Sequence, residues 1–180
     1  MYFKKLIGKK CYLSPMDIND AEKYTEWLND LEVTTYLTLY SNAISTETEK
    51  ELLEKLSKEH NYTIIDNYSN EAIGVCGFFD LDHINQTAEA GIFIGKKNLW
   101  GKGYGTEALR LLLDYGFKAL NLHCVILKTY TFNERAMKAY EKLGFKVIGK
   151  RREALRRGNE TFDIVYMDIL YDEFYKKNEL

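Results

Sequence analysis

Three glycines at alternating positions, Gly101, Gly103 and Gly105, separate an apolar run from an amphipathic one, with Lys102 between the first two. Glycine is a poor residue with which to start a helix, costing up to about 1 kcal/mol each relative to alanine. A strand, a glycine-rich turn and a helix start together can make an anion seat. The first helical N–H groups have no partner inside the helix, and the dipole leaves partial positive charge there. Without Cβ atoms an anion can approach the backbone. Lys102 adds a cationic side chain, and Lys96 and Lys97 lie just upstream. The chemistry this arrangement suits is the holding of a phosphate or pyrophosphate. A Walker A loop is absent from the sequence, and the third glycine of a dinucleotide fingerprint would fall on Thr106 or Ala108. A tight turn that only packs a helix on a sheet explains the same glycines equally well.

Other residues carry weaker signals. Asn133 opens an amphipathic run and reads as an N-cap, and Tyr140, seven residues on, shares its helical face. Glu89 is an acid inside an apolar alternation and is expected to be half-buried. Asp30, Glu32, Asp80 and Asp82 are further acids, expected on loops. Lys150, Arg151, Arg152, Arg156 and Arg157 form a basic run, read first as a solvated hairpin and second as a guide for anions. Cys11, Cys76 and Cys124 each sit in an apolar run and are expected to be buried free thiols. His60, His83 and His123 show no ligand spacing, so no metal is expected.

Those residues need a scaffold. The 180 residues are 46% apolar, with one proline and no low-complexity linker, so a single domain over 1–180 is expected. A net charge of -2 argues against a general nucleic-acid binder. No apolar run has the length of a membrane span, and "MYFKKLIGKK" lacks a secretory core, so a cytoplasmic protein without membrane association is expected.

The periodicity predicts a strand over "KKCYLSPM", a helix over "INDAEKYTEWLND" after an Asp17 cap, and a loop or a broken turn over "LEVTTYLTLYSN". A second helix, "TETEKELLEKLSKEH", follows a Ser45 or Thr46 cap. "NYTIIDN", "AIGVCGFFDLD" and "TAEAGIFIGKK" read as an antiparallel meander, with Ile92 and Ile94 as core residues. After the glycine segment come a strand, "LHCVILKTYTF", and a helix over "NERAMKAYEKLGF" that stops at Gly144. The strand "KVIGKRREALRRG" turns into a basic loop, and "TFDIVYMDIL" is the last strand. The order is β-α-α-β-β-β-α-β-α-β-β: one mixed sheet with helices on its faces, the later β-α-β unit parallel.

Residues Gly101–Ala108 resemble the pyrophosphate loop of the GNAT superfamily of acyl-CoA N-acetyltransferases, with its pattern Gln/Arg-x-x-Gly-x-Gly/Ala. Gly103 and Gly105 fill the two glycine positions, and Trp100 stands where the pattern has Gln or Arg. The Asn…Ala…Tyr…Leu-Gly-Phe series from Asn133 to Phe145 resembles the second half of that fold, and the likeness spans about residues 9–170. Within the superfamily the chain is most similar to the RimJ/RimL-like, ribosomal-protein N-acetyltransferase branch, with a likeness to spermidine N-acetyltransferases. The resemblance implies an α/β (α+β) fold whose mostly antiparallel sheet is splayed at an acetyl-CoA cleft. It implies pyrophosphate on Gly101, Lys102, Gly103, Tyr104, Gly105 and Thr106, and pantetheine on the backbone of Ile92, Phe93 and Ile94 and on Asn133.

The resemblance also implies a catalytic role for Tyr140, which spacing alone leaves as a core or rim tyrosine. It sets Glu89, at the start of the splayed strand, as an acidic candidate catalytic residue near the cleft. Tyr140 would face the CoA sulfur. A phenol near pKa 10 protonating a thiolate near 8.5 is uphill by about 1.5 units, roughly 2 kcal/mol, which favours a hydrogen bond over proton transfer. Glu89 would take the amine's proton, or orient the ammonium, or brace a loop. A carboxylate near 4.3 deprotonating an α-ammonium near 8 is uphill by about 3.5 units, roughly 5 kcal/mol, so a base here needs a raised pKa or a water relay. The expected activity is acetyl-CoA-dependent N-acetyl transfer by direct attack in a ternary complex, without a metal. The expected acceptor is a protein N-terminal amine; the alternatives are a polyamine or other small amine, or a CoA-binding sensor without turnover. The aromatic stretch Tyr166–Tyr175 offers a surface for a second copy, so a homodimer is a further expectation.

Overall fold

Short strands and helices alternate over residues 1–178, which this computed structural model describes; Glu179 and Leu180, the end of the expected domain, lie outside the described residues. In chain order they are β1 (Leu6–Ile7), β2 (Cys11–Pro15), α1 (Ala21–Asn29), α2 (Leu31–Thr34), α3 (Thr46–Leu56), β3 (Asn61–Asp66), β4 (Ala72–Asp82) and β5 (Thr87–Ile94). Then follow α4 (Tyr104–Ala119), β6 (Cys124–Tyr130), α5 (Glu134–Leu143), β7 (Lys146–Arg157), β8 (Glu160–Leu170) and α6 (Tyr171–Asn178). The strands hydrogen-bond in the order β1-β2-β3-β4-β5-β6-β8-β7. The β2–β3, β3–β4, β6–β8 and β7–β8 pairs are antiparallel, and β5 and β6 are parallel. A parallel pair needs a crossover, and α4 supplies it. The β5–β6 register covers Thr87–Cys124, Ala88–Val125 and Glu89–Ile126, at the N-terminal ends of both strands.

The residues gather into two compact units, Met1–Phe78 with Gly91–Leu112, and Phe79–Ala90 with Leu113–Leu180. Their borders fall inside β4, β5 and α4 rather than in linkers.

In the first unit the core joins Tyr12, Tyr24, Trp27, Val33, Leu53 and Ile65. The apolar spacing of α1 delivers Ala21, Tyr24, Trp27 and Leu28 to it, all buried. Tyr24 stacks on Trp27 at 5.4 Å, and Phe93 meets Trp27 edge-on at 6.3 Å. Asp17 caps a 3-10 turn before α1, and Ser45 caps α3 by accepting from the Thr48 amide. The segment 31–42, expected as a loop or a broken turn, begins with a helical turn, α2. Asp30 caps it through the Glu32 amide, and the Thr34 amide bonds back to the Asp30 carbonyl.

In the second unit Val125, Leu127, Val165, Met167, Ile169 and Phe174 are buried to 2% exposure or less. Burying such side chains contributes about 1.5–3 kcal/mol each. The strand expected from Lys146 does not give way to the expected basic loop but continues as far as Arg157. Its alternation breaks at a bulge between Arg151 and Leu155, where Glu153 has φ 47° and donates its amide to Asp163. The strand ends the hydrogen-bonding order, so it tolerates charges that a central strand would not. The aromatic stretch Tyr166–Tyr175 is divided between the end of β8 and the start of α6. Phe174 is fully buried, packing on Phe117, and the Tyr175 hydroxyl donates to Asp114 at 3.0 Å.

Candidate functional site

In the first unit, β5 leads through a short turn into the glycine segment. Gly101 and Gly103 have φ of 73° and 86°, the left-handed region that favours glycine. A Cβ on Gly101 would meet nothing within 4 Å, so the backbone dihedral, not crowding, requires glycine there. Gly105 differs. It sits in the first turn of α4, where a Cβ would lie 3.7 Å from Ile94 and 4.0 Å from Ile92. These isoleucines are therefore not the core residues expected: both are half-buried, facing the start of α4, while Phe93 points to Trp27.

The first intrahelical bond of α4 runs from the Glu107 amide to the Gly103 carbonyl at 3.0 Å, so the amides of Tyr104, Gly105 and Thr106 precede the ladder. Four side chains hold this helix start in place. The Glu107 carboxylate accepts from the backbone amides of Lys10 at 2.7 Å and Cys11 at 3.3 Å. The Lys10 ammonium donates to the Lys102 carbonyl at 3.0 Å and lies 5.9 Å from the Tyr104 ring centroid. The Tyr104 hydroxyl donates to Asp66 at 2.9 Å. Burial works against the charge of Asp66, but hydrogen bonds from Ser69, Tyr104 and Tyr68 outweigh it and hold that carboxyl below its ordinary value. Glu107, Lys10 and Asp66 escaped the sequence reading. Trp100, which matched no motif role, donates its indole N–H to the Ile94 carbonyl at 2.7 Å.

Of the cations near the loop, Lys102 is exposed. Lys96 pairs with Glu71, and Lys97 bridges Asp30 at 2.7 Å and Glu32 at 2.8 Å. The upstream lysines and the acids of α2 thus engage one another, where the sequence suggested anion and substrate contacts.

In the second unit, Glu89 is half-buried as expected, and its carboxylate oxygens lie 3.0 and 3.1 Å from the Lys128 ammonium. Asn133 is buried and caps α5, accepting from the Ala136 amide at 3.3 Å. Tyr140 projects from the same helix as a half-buried ring tilted on Phe145 at 6.0 Å. Its hydroxyl makes no hydrogen bond among the described residues, and burial pushes it up to about 12. Asp82 closes the turn before β5 by accepting from the Ile84 and Asn85 amides at 2.8 and 2.9 Å, a structural duty. Cys11 and Cys76 are buried and Cys124 is half-buried, not fully buried as expected. Burial raises all three thiols, Cys11 to about 12, so none is poised as a nucleophile.

The residues present fit a pyrophosphate on the first unit's helix start: amides ahead of the ladder, no Cβ at two left-handed positions, and an exposed lysine. Comparison with known proteins shows the family. Residues 10–146 match the family described as "Acetyltransferase (GNAT) domain". "Uncharacterized N-acetyltransferase p20" of Bacillus licheniformis is 30% identical over 174 residues, which cover 94% of this chain and 97% of that protein. "Putative ribosomal N-acetyltransferase YdaF" of Bacillus subtilis is 34% identical over 107 residues, 59% of this chain and 58% of that one. The crystal structure of spermidine N-acetyltransferase from Vibrio cholerae, in complex with CoA and spermine, has the same fold. Its TM-score is 0.82 at 24% identity, over 93% of this chain and 99% of that one. A family match across residues 10–146 and a relative aligned along nearly the whole chain establish that this protein belongs to the GNAT family of N-acetyltransferases.

Proposed function

We propose that the chain is one N-acetyltransferase domain over 1–180 that moves an acetyl group from acetyl-CoA to a primary amine, attacked directly in a ternary complex. The observation that carries this reading is the glycine turn, with left-handed Gly101 and Gly103 ahead of free helix-start amides. The backbone of residues 101–106 and the Lys102 side chain hold the pyrophosphate. The backbone of Ile92, Phe93 and Ile94, beyond the last registered β5–β6 pair, and the amide of Asn133 hold the pantetheine arm. When bound, acetyl-CoA supplies the activated acyl group and a thiolate leaving group.

The environment of Tyr140 sharpens its role. With its hydroxyl at about 12, giving a proton to a thiolate near 8.5 is uphill by about 3.5 units, roughly 5 kcal/mol. Tyr140 therefore acts as a hydrogen-bond donor to the developing thiolate and keeps its proton. Glu89 orients the incoming ammonium or takes its proton through water, and must first part from Lys128.

The acceptor we infer is a protein N-terminal amine, a reading supported by the likeness to the ribosomal enzyme's name. The spermine complex of the Vibrio cholerae structure supports the second reading, a polyamine. Free-thiol release with an N-terminal peptide panel and with spermidine separates them. Higher kcat/KM on peptides supports the first reading, and higher kcat/KM on spermidine the second. CoA binding without thiol release on any amine would leave only a sensor.

A further inference from the structure

We propose that Trp100 is a positioning residue for the glycine turn, joining the end of β5 to the start of the pyrophosphate seat through its indole N–H. The inference rests on the pyrophosphate reading of residues 101–106. The chain leaves β5 at Ile94 and is pinned at once: the Gly95 amide donates to the Ile73 carbonyl at 2.9 Å. A Cβ on Gly95 would lie 2.1 Å from the Trp27 ring, so the backbone lies against that ring. A 3-10 turn at Lys97–Leu99 then folds the chain back, with the Trp100 amide bonded to the Lys97 carbonyl at 3.1 Å. Six residues after Ile94, the Trp100 side chain closes on the carbonyl of Ile94 at 2.7 Å. The next residue is Gly101, which opens the left-handed turn at φ 73°.

The indole is held from two directions. It packs against the core cluster that contains Trp27, and it meets Tyr36 edge-on at 6.2 Å with an interplanar angle of 81°. Its N–H therefore points from a fixed ring to a fixed carbonyl. This matters because the seat is built from backbone amides. Side chains can rotate to meet a ligand, but amides are only as well placed as the loop that carries them. A loop tethered at its first residue loses less freedom when the anion binds. The family pattern has Gln or Arg at this position, both N–H donors on flexible stems; here a rigid ring supplies the donor.

Trp100→Phe keeps a ring and removes the donor, and Trp100→Gln returns a donor of the kind the pattern holds. Each is assayed with acetyl-CoA and with S-acetyl-N-acetylcysteamine, a thioester without the pyrophosphate. For Trp100→Phe the KM for acetyl-CoA is expected to rise about tenfold, the loss of one well-placed hydrogen bond. Its kcat and its kcat/KM on the truncated thioester should stay at wild-type values, and Trp100→Gln should recover part of the affinity. An unchanged KM for acetyl-CoA, or an equal loss on both thioesters, overturns the positioning role, since general damage does not distinguish the two substrates. If Trp100→Phe fails to fold, Trp100→Gln decides: a KM as high as that of a donorless loop, tenfold above wild type, also overturns it. Wild-type protein that uses both thioesters equally well overturns the pyrophosphate reading itself, and this inference with it.

Discussion

Burial raises the Tyr140 hydroxyl to about 12, so the phenol stays protonated at neutral pH and has a hydrogen to offer. Removing that donor with Tyr140→Phe should lower kcat by about 10²-fold, in the range of a lost donor to developing negative charge, with the KM for acetyl-CoA nearly unchanged. The sign of the shift makes a second demand. Because the folded value lies above the ordinary one, the wild-type pH–rate profile should show no falling limb from Tyr140 below about pH 11. Glu89 carries a different expectation. Glu89→Gln should lower kcat/KM for the amine by about 10–100-fold, measured at saturating acetyl-CoA, and wild-type turnover in this variant would remove Glu89 from the site. The Asn133 cap was legible in the sequence, while the role proposed for Tyr140, seven residues on, came from the resemblance and not from spacing. Glu107 was not legible, because its carboxylate serves the Lys10 amide 97 residues away, and nothing in local spacing announces such a bond.

At the level of elements, the turn and the caps set the loop and α5. Gly103→Ala forces a side chain into φ 86°. It should cost about 1–2 kcal/mol of stability by urea unfolding and raise the KM for acetyl-CoA, because the amides behind it shift. Asn133→Ala removes the cap of α5 and should cost about 1 kcal/mol. Where an element has a period and a cap, as α3 and α5 do, or a clear apolar period, as α1 does, the sequence located it. β1 is two residues and α2 one turn, too short for any period to show. Only the start of β7 reads as a strand; its later half reads as a loop because its charged residues hide the alternation, and its bulge shifts the register. α6 has aromatic residues that suit a binding surface as well as a core; only the fold places Phe174 on Phe117.

For the whole molecule, the charge balance hides one strained group. Glu49 on α3 is 3% exposed, its Oε2 has no hydrogen-bond partner among the described residues, and burial raises it to about 7. Between its ordinary and its folded value the folded chain binds more protons than the unfolded one, so stability falls as pH rises through that window. Glu49→Gln should therefore raise stability at about pH 8 by about 3 kcal/mol and have little effect near about pH 4, read from urea midpoints. Family and fold were legible from "GKGYG" and the Asn133–Phe145 series, because backbone chemistry constrains those residue types closely. The acceptor was not, since α1, α2 and the segment after them carry ordinary capping and ion-pair residues that no amine substrate dictates. The central claim is direct transfer in a ternary complex, and initial rates of thiol release with acetyl-CoA and the best amine varied together test it. Intersecting double-reciprocal lines are the predicted result; parallel lines, or no amine-dependent thiol release, would contradict it.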